Sequence, residues 1–419
     1  MLRSRILVPL ALGGAICASA FAADPCHFIW SGGVTDSTAI VASGLTVEAD
    51  EVEVIVDTDP EFPSPTVYRV ESGPEKTAKI KLSRLTPDTE YFYKVRVDGS
   101  EDDFVGRLKT FPAGASDFRF TFGSCSSTGS TSKIFDIIRE ENPLFHLITG
   151  DFHYEDIAVN DPELFKQAYQ DNFDSPKWDA LLKQMPIAYI WDDHDYGPNN
   201  SDKTSPSREA ARLAYREWVP HYETPNKGPI YQSFDVGRAT IILLDLRSER
   251  DPRNKVDNSS KSMMGAKQKS WFKNELLKAK NRLVIVVSSV PWISKSKSDT
   301  WFGYSTERME IARFIVENNL QDNLCMLAGD AHMLAIDDGS NNTYAGAEFP
   351  VFHAAALDRN GSKKGGPYTS GTYPGGGQYG LVEIFDNGGD HIDVKWFGKN
   401  RKGEVVIAHK FSVPAPSGM

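Results

Sequence analysis

Apolar and polar positions along the chain change rhythm twice. From residue 26 to about 112 the pattern is one of alternation, seen in 38–43, 51–57 and 79–85, with turn residues between the runs such as Asp57-Thr58-Asp59-Pro60. Alternation over short runs bounded by Pro, Asp and Gly predicts β-strands. Within this part, Leu85, a Pro87 turn and then Tyr91 entering a strand read as the corner of a fibronectin type III-like β-sandwich. After Pro112 short continuous apolar runs take over: 118–123, 144–149, 187–191, 239–244, 283–289 and 324–328. Stretches with helical periodicity lie between them, at 132–141, 207–218, 265–278 and 305–318. Strands alternating with helices predict a layered α/β domain. The chain returns to strands at 379–385, 391–397 and 404–411, after a Gly-, Ser- and Tyr-rich segment, 359–377, that reads as a long loop.

The first 22 residues follow neither pattern. Arg3 and Arg5 precede an almost wholly apolar run, 6–18, and small residues then flank Ala20 and Ala22. This is the layout of a secretory signal peptide, with cleavage expected near Ala20 or Ala22. The expected organisation is therefore a signal peptide at 1–22, a β-sandwich at 23–112 and an α/β domain at 113–419. No other stretch is apolar enough to span a bilayer, so the processed chain is expected in a periplasm or outside the cell.

Charge narrows the chemistry. The net charge is −11, and removing residues 1–22 takes away two arginines and no acid, leaving −13. A chain this acidic does not bind nucleic acid through a general positive field. An anionic substrate would have to be received by local cations. After cleavage three cysteines remain, Cys26, Cys125 and Cys325. The odd number leaves at least one thiol without an intrachain partner, and a Cys26–Cys325 bridge stays open.

Residues of metal-ligand type recur directly after the predicted strands. They are Ser124-Cys125, then Gly150-Asp151-Phe152-His153-Tyr154, then Trp191-Asp192-Asp193-His194-Asp195 followed by Asn199 and Asn200, and finally Gly329-Asp330-Ala331-His332. The carboxyl edge of an open α/β sheet is where ligands bind. A Gly-Asp pair alone is an ordinary turn. Three carboxylates and a histidine in four residues repel one another unless they are solvated or neutralised, and a metal ion is the natural neutraliser. His153, between two candidate ligands on an extended segment, points away from them and reads as structural.

This order of motifs resembles the alkaline phosphatase D family, a branch of the calcineurin-like metallophosphoesterases. Further matching features are Asp245 and Arg247 after a strand, and Trp301-Phe302-Gly303-Tyr304 with Arg308. The Gly-Asn-His motif of the wider superfamily is absent. The resemblance implies a four-layer αββα metallophosphoesterase domain behind the sandwich, and a centre of Fe3+ and Ca2+. Asp151 would bridge the two metals. Cys125, Tyr154 and His332 would hold iron, and Asp193, Asp330 and either Asn199 or Asn200 would serve calcium. Thiolate and phenolate suit a trivalent iron, and carboxylate and amide oxygens suit a hard cation.

The activity this implies is hydrolysis of phosphodiesters, phosphomonoesters or both, small or polymeric, by a metal-activated water or hydroxide. His194 would protonate the leaving group or steady an oxygen, and Arg247 would clamp the phosphate. Two departures bear on the pocket. Ser126 and Ser127 follow Cys125 where many relatives carry glutamine, and the C-terminal residues 411–419 cannot form the helical lid some relatives have. Two other readings compete: a phosphoesterase with two like metals in which Cys125 is not a ligand, and a secreted binding protein that keeps the fold without activity.

Overall fold

The structure, a computed structural model, describes residues 24–71, 76–225, 228–296 and 299–415; the expected signal peptide lies outside them. The first eight strands are β1 (Cys26–Gly32), β2 (Thr38–Leu45), β3 (Glu51–Asp57), β4 (Thr66–Glu71), β5 (Thr77–Ser83), β6 (Glu90–Val97), β7 (Ser100–Glu101) and β8 (Gly106–Lys109). There follow β9 (Phe118–Gly123), α1 (Ile134–Glu140), β10 (His146–Ile148), α2 (Pro162–Phe173), α3 (Pro176–Gln184), β11 (Ile187–Tyr189), α4 (Arg208–Trp218), β12 (Gln232–Val236) and β13 (Ala239–Leu243). The remainder is α5 (Gly265–Lys278), β14 (Leu283–Ser288), α6 (Ser305–Glu317), β15 (Leu324–Ala328), β16 (Met333–Asp337), β17 (Val351–Ala354), β18 (Thr372–Pro374), β19 (Gln378–Phe385), β20 (His391–Asn400) and β21 (Val405–Pro414).

Two large sheets pack face to face. One runs β21-β20-β19-β9-β10-β11-β1-β2-β5 and the other β12-β13-β14-β15-β17-β16-β18. The alternation of side chains along the second sheet shows why four layers result. Ile241, Leu243, Ile285, Val287, Cys325 and Leu327 enter one core with Phe120, Phe122, Leu147 and the apolar faces of α1 and α3. Their neighbours Ile242, Val284, Val286, Leu324 and Met326 enter a second core with Phe272 and Leu276 of α5 and Ile311 and Ile315 of α6. Strands buried on both faces carry continuous apolar runs, which is why 239–244 and 283–289 read so plainly. Trp301 and Tyr304 belong to this second core, so they pack rather than wall a pocket, whereas Phe302 is exposed.

Helices α2 and α3 are additions to the expected set. Both begin with proline at the first turn, and the Asp161 carboxylate accepts from the Glu163 N–H at 3.1 Å to cap α2. These are start signals the sequence carries.

In the N-terminal part, β1-β2-β5 form one layer and β4-β3-β6, with β7 and β8 both on β6, form the other. Val52, Val54 and Val56 of β3 and Tyr93, Val95 and Val97 of β6 share one core with Ala78, Ile80 and Leu82 of β5. The Tyr91 hydroxyl accepts from the Thr86 N–H at 2.9 Å, fixing the corner that precedes β6. This part is not set apart from the rest. Gly32 of β1 pairs in parallel with Ile187 of β11, so one layer of the sandwich continues the nine-stranded sheet.

Lys79 of β5 strengthens this junction. Its Nζ donates to the carbonyls of Arg216 and Val219 at the end of α4, at 2.9 and 2.6 Å. Burial, with Arg216 nearby, lowers its pKa to about 7. The folded state therefore binds this proton less tightly than the unfolded chain. The penalty is full below about pH 7 and is relieved as pH rises toward the ordinary lysine range. Wild type is expected to gain stability relative to Lys79→Met from neutral to alkaline pH, measured by urea denaturation at several values; parallel pH profiles would refute this.

Candidate metal centre

Parallel neighbours bring strand ends together. β9, β10 and β11 lie side by side and run the same way, as do β14 and β15. The loops leaving β9, β10 and β11 therefore converge at one edge of their sheet, where Cys125 N–H donates to Gly150 O and Ser126 N–H to Asp151 O, and the loop leaving β15 of the other sheet packs against them. The crossing is tight. A Cβ at Gly150 would come 2.6 Å from Asp192 Cβ, and one at Gly329 would come 2.6 Å from Thr149 O. Glycine before each aspartate is thus required by close approach. Cys125, Asp151, Asp330 and His332 all have positive φ, at 62°, 54°, 61° and 39°. Four non-glycine residues held in this sparsely populated region at one site mark a place where backbone strain is maintained by the surrounding fold.

Two side-chain groups form there, each with ligand atoms within 4.8 Å of one another: Cys125, Asp151 and His332, and Asp151, Asp193 and His194. Asp151 belongs to both. Its Oδ2 lies 3.3 Å from Cys125 Sγ and accepts from the Tyr154 hydroxyl at 2.9 Å. That hydroxyl is also 3.1 Å from His332 Nε2. His332 Nδ1 donates to the Asn360 carbonyl at 2.7 Å, which turns the lone pair of Nε2 toward the cluster. The tyrosine thus has one proton for two acceptors.

The five residues of the Trp191–Asp195 motif divide the work. Trp191 Nε1 donates to Asp245 at 2.9 Å, and Asp245 also accepts from the N–H groups of Arg247 and Ser248. Asp195 accepts from the N–H groups of Phe152 and Asp192 and from the Tyr189 hydroxyl. Asp192 Oδ1 accepts from Arg247 Nε and the Ser289 hydroxyl, both at 2.7 Å. Asp193 and His194 face the cluster. Asp193 Oδ2 accepts from the Asn200 N–H at 2.5 Å, and Asn200 is half-buried. Asn199 is exposed, so of the two asparagines Asn200 is the one that touches Asp193, through its backbone N–H.

Arg247 does not occupy the position expected of a phosphate clamp. It is wholly buried, and its guanidinium bonds Asp192, Asp299 and the Ser201 carbonyl, with Asp193 Oδ1 at 3.3 Å. Three carboxylates and a carbonyl take up its donors, so it holds the acidic loop in place from behind.

Sequence reasoning passed over Asp156, Asp299 and Arg359, and it reads Lys364 as a residue of a solvated loop. Asp156 accepts from His194 Nδ1 at 2.7 Å and orients its ring, which stacks on Tyr154 with centroids 4.0 Å apart. Asp299 pairs with Arg247 and Arg250. From the glycine-rich loop, the Lys364 ammonium pairs with Asp330 instead of standing in solvent, and the Arg359 guanidinium lies 4.1 Å from the Tyr154 ring centroid. None of these belongs to a local motif. His153 is fully buried against Phe165 and Tyr169, and burial lowers its pKa to about 3. It is a neutral packing residue.

Electrostatics indicate a missing positive charge. Burial, reinforced by Asp151, pushes the Cys125 thiol up; burial, Asp151 and Cys125 push up the Tyr154 phenol; burial and Asp193 push up Asp151. Asp330 rises to about 7 through burial, even with Lys364 beside it. Only Asp193, against the pull of burial, is held low by Arg247 and His194. Burial opposes the charge of His194, but Asp151, Asp193 and Asp156 raise its pKa nonetheless. Asp330 Oδ2 is buried without a hydrogen-bond partner, and Asp193 Oδ1 has only the Arg247 guanidinium at 3.3 Å. A set of anionic donors that cannot ionise together, with an orphaned buried oxygen and one proton for two acceptors, is what a bound cation would satisfy. The residues fit a metal centre.

A family model described as PhoD-like phosphatase matches residues 120–365, more than half of the chain. Alkaline phosphatase D of Bacillus subtilis is 27% identical over 333 residues, covering 64% of this chain and 56% of that protein. Purple acid phosphatase 21 of Arabidopsis thaliana is 25% identical over 250 residues, covering 57% of this chain and 48% of that protein. The chain thus spans about half the length of these curated relatives. A solved structure of PhoD superposes with a TM-score of 0.77 at 17% identity, over 94% of this chain and 93% of that one. Purple acid phosphatase PPD1 from yellow lupin (Lupinus luteus) superposes with a TM-score of 0.68 at 12% identity, over 93% and 75%. These likenesses show the α/β metallophosphoesterase fold.

Proposed function

Because the chain belongs to the PhoD-like phosphatase family, we propose that it is an exported, metal-dependent hydrolase of phosphoric esters. The observation that carries this is Asp151 shared between two groups of side chains, buried Cys125 with half-buried His332 on one side and buried Asp193 with half-buried His194 on the other. Cys125, Tyr154 and His332 would hold the harder-charged ion, expected to be iron, and Asp193, Asp330 and Asn200 the second, expected to be calcium, with Asp151 between them. The ions, when bound, supply positive charge to the phosphoryl oxygens and an acidified water. His194, oriented by Asp156, with its pKa raised by its carboxylate neighbours against burial, would donate to the leaving oxygen. The arrangement of β1-β2-β5 against β4-β3-β6-β8, with the Tyr91 corner, supports a fibronectin type III-like module ahead of a catalytic part beginning near residue 113. The apolar run at 6–18 supports export.

The rival of a binding protein without activity leaves the maintained strain and the orphaned carboxylate oxygen at this site without a purpose. The test is metal analysis of the purified full chain beside hydrolysis of p-nitrophenyl phosphate and bis(p-nitrophenyl) phosphate. Bound iron and calcium with turnover of either ester is expected, along with loss of activity on chelation. Cys125→Ser is expected to lose iron. Unchanged metal content in that variant would favour two like metals, and no turnover by folded, metal-loaded protein would favour the binding protein.

A further inference from the structure

The acidic surface raises the question of which cation receives the substrate's charge. Three basic side chains lie at the centre, and two are taken. Arg247 is buried among Asp192, Asp193 and Asp299, and Lys364 pairs with Asp330. Arg359 is different. Its one hydrogen bond among the described residues is from Nη1 to the Ser127 hydroxyl at 3.4 Å, and its guanidinium stacks on Tyr154, whose hydroxyl is in the cluster. It lines a cavity of about 350 Å³ together with Ser127, His332, Asp358 and Asn360.

Its position is held from both sides. The Asp358 carboxylate accepts from the Ser127 N–H at 2.7 Å and from the Ser130 hydroxyl, which ties it to the loop after β9. The Asn360 carbonyl accepts from His332 Nδ1. Arg359 is thus carried on a segment pinned to two of the loops that build the centre, and stacking on Tyr154 pre-orders its fork.

We propose that Arg359 binds a non-bridging oxygen of the substrate phosphate and makes the site favour monoesters over diesters. A monoester dianion carries three non-bridging oxygens. A diester carries two, and its fourth position is an esterified oxygen with no charge to offer a guanidinium. An arginine placed beyond the metal donors therefore rewards the extra anionic oxygen, as a charge-assisted hydrogen bond.

The inference rests on the phosphoesterase reading, and the experiment separates the two. Arg359→Met and Arg359→Lys are compared with the intact protein for metal content, for kcat and KM on p-nitrophenyl phosphate and bis(p-nitrophenyl) phosphate, and for binding of inorganic phosphate by calorimetry. In Arg359→Met, metal content is expected to stay unchanged. Phosphate affinity and kcat/KM for the monoester are expected to fall on the order of 30-fold, mainly through KM, and kcat/KM for the diester only about threefold. The lysine variant should recover part of the monoester loss. Equal losses on both esters, or phosphate binding unaltered by the methionine, would overturn the proposal. Absence of turnover in the intact protein would refute the phosphoesterase reading, while phosphate binding would still test Arg359.

Discussion

Asp151→Asn is expected to lower kcat/KM for either p-nitrophenyl ester by about 10³-fold or more and to strip the protein of bound metal. Asp151 is the one residue common to both donor groups, and its Oδ2 contacts Cys125 Sγ and the Tyr154 hydroxyl. Asparagine keeps the size and shape but presents a neutral amide to both. The backbone at this position has a φ of 54°, which asparagine tolerates as well as aspartate does. The variant should therefore fold. Its metal-free form should melt no lower than metal-free wild type, since burial and Asp193 already work against a charge at Asp151. Activity and metal are lost while stability is not. Turnover within tenfold of wild type would end the assignment of Asp151 to the centre.

The second large effect is on stability. Arg247→Met removes the cation that Asp192 and Asp299 share, with Asp193 at 3.3 Å, all of it buried. Asp299 keeps Arg250, but Asp192 and Asp193 lose their arginine, and breaking such a buried group from one side costs about 3–5 kcal/mol. Urea denaturation of the metal-free protein measures it, and Arg247→Lys, with one point charge for a planar fork, should recover only part. The outcome separates two roles for this arginine. A buried brace loses stability on substitution. A phosphate clamp would instead raise KM in a protein of undiminished stability, and that result would restore the expectation drawn from the motif.

Much of the centre was legible because its parts are local. Cys125, Asp151, Asp193 and Asp330 each follow an apolar run by one to three residues, and the runs are strands in the structure, except that β11 ends two residues short of Trp191. Glycine before Asp151 and before Asp330 marked the crossings that admit no side chain. Helix α5 falls where its periodicity put it, whereas α2 and α3 were not expected although they carry Asp161-Pro162 and Ser175-Pro176 starts. Two adjacent identical residues, Asn199 and Asn200, could not be told apart in the sequence; in the structure a turn sends the Asn200 N–H to Asp193 and leaves Asn199 exposed.

By itself the sequence determined that Cys125, Asp151 and Asp193 fall at one edge, because β9, β10 and β11 are parallel neighbours in one sheet. Tertiary structure alone brought Asp330 and His332 to them, since these follow β15 of the other sheet, and it alone decided which cations pair with buried carboxylates. Arg247 is 55 residues from Asp192 and 52 from Asp299, Lys364 is 34 from Asp330, and Arg359 is 232 from Ser127. A charge near a motif looks free until the loops close, and only their packing shows which arginine is spent bracing buried carboxylates and which keeps donors for an anion.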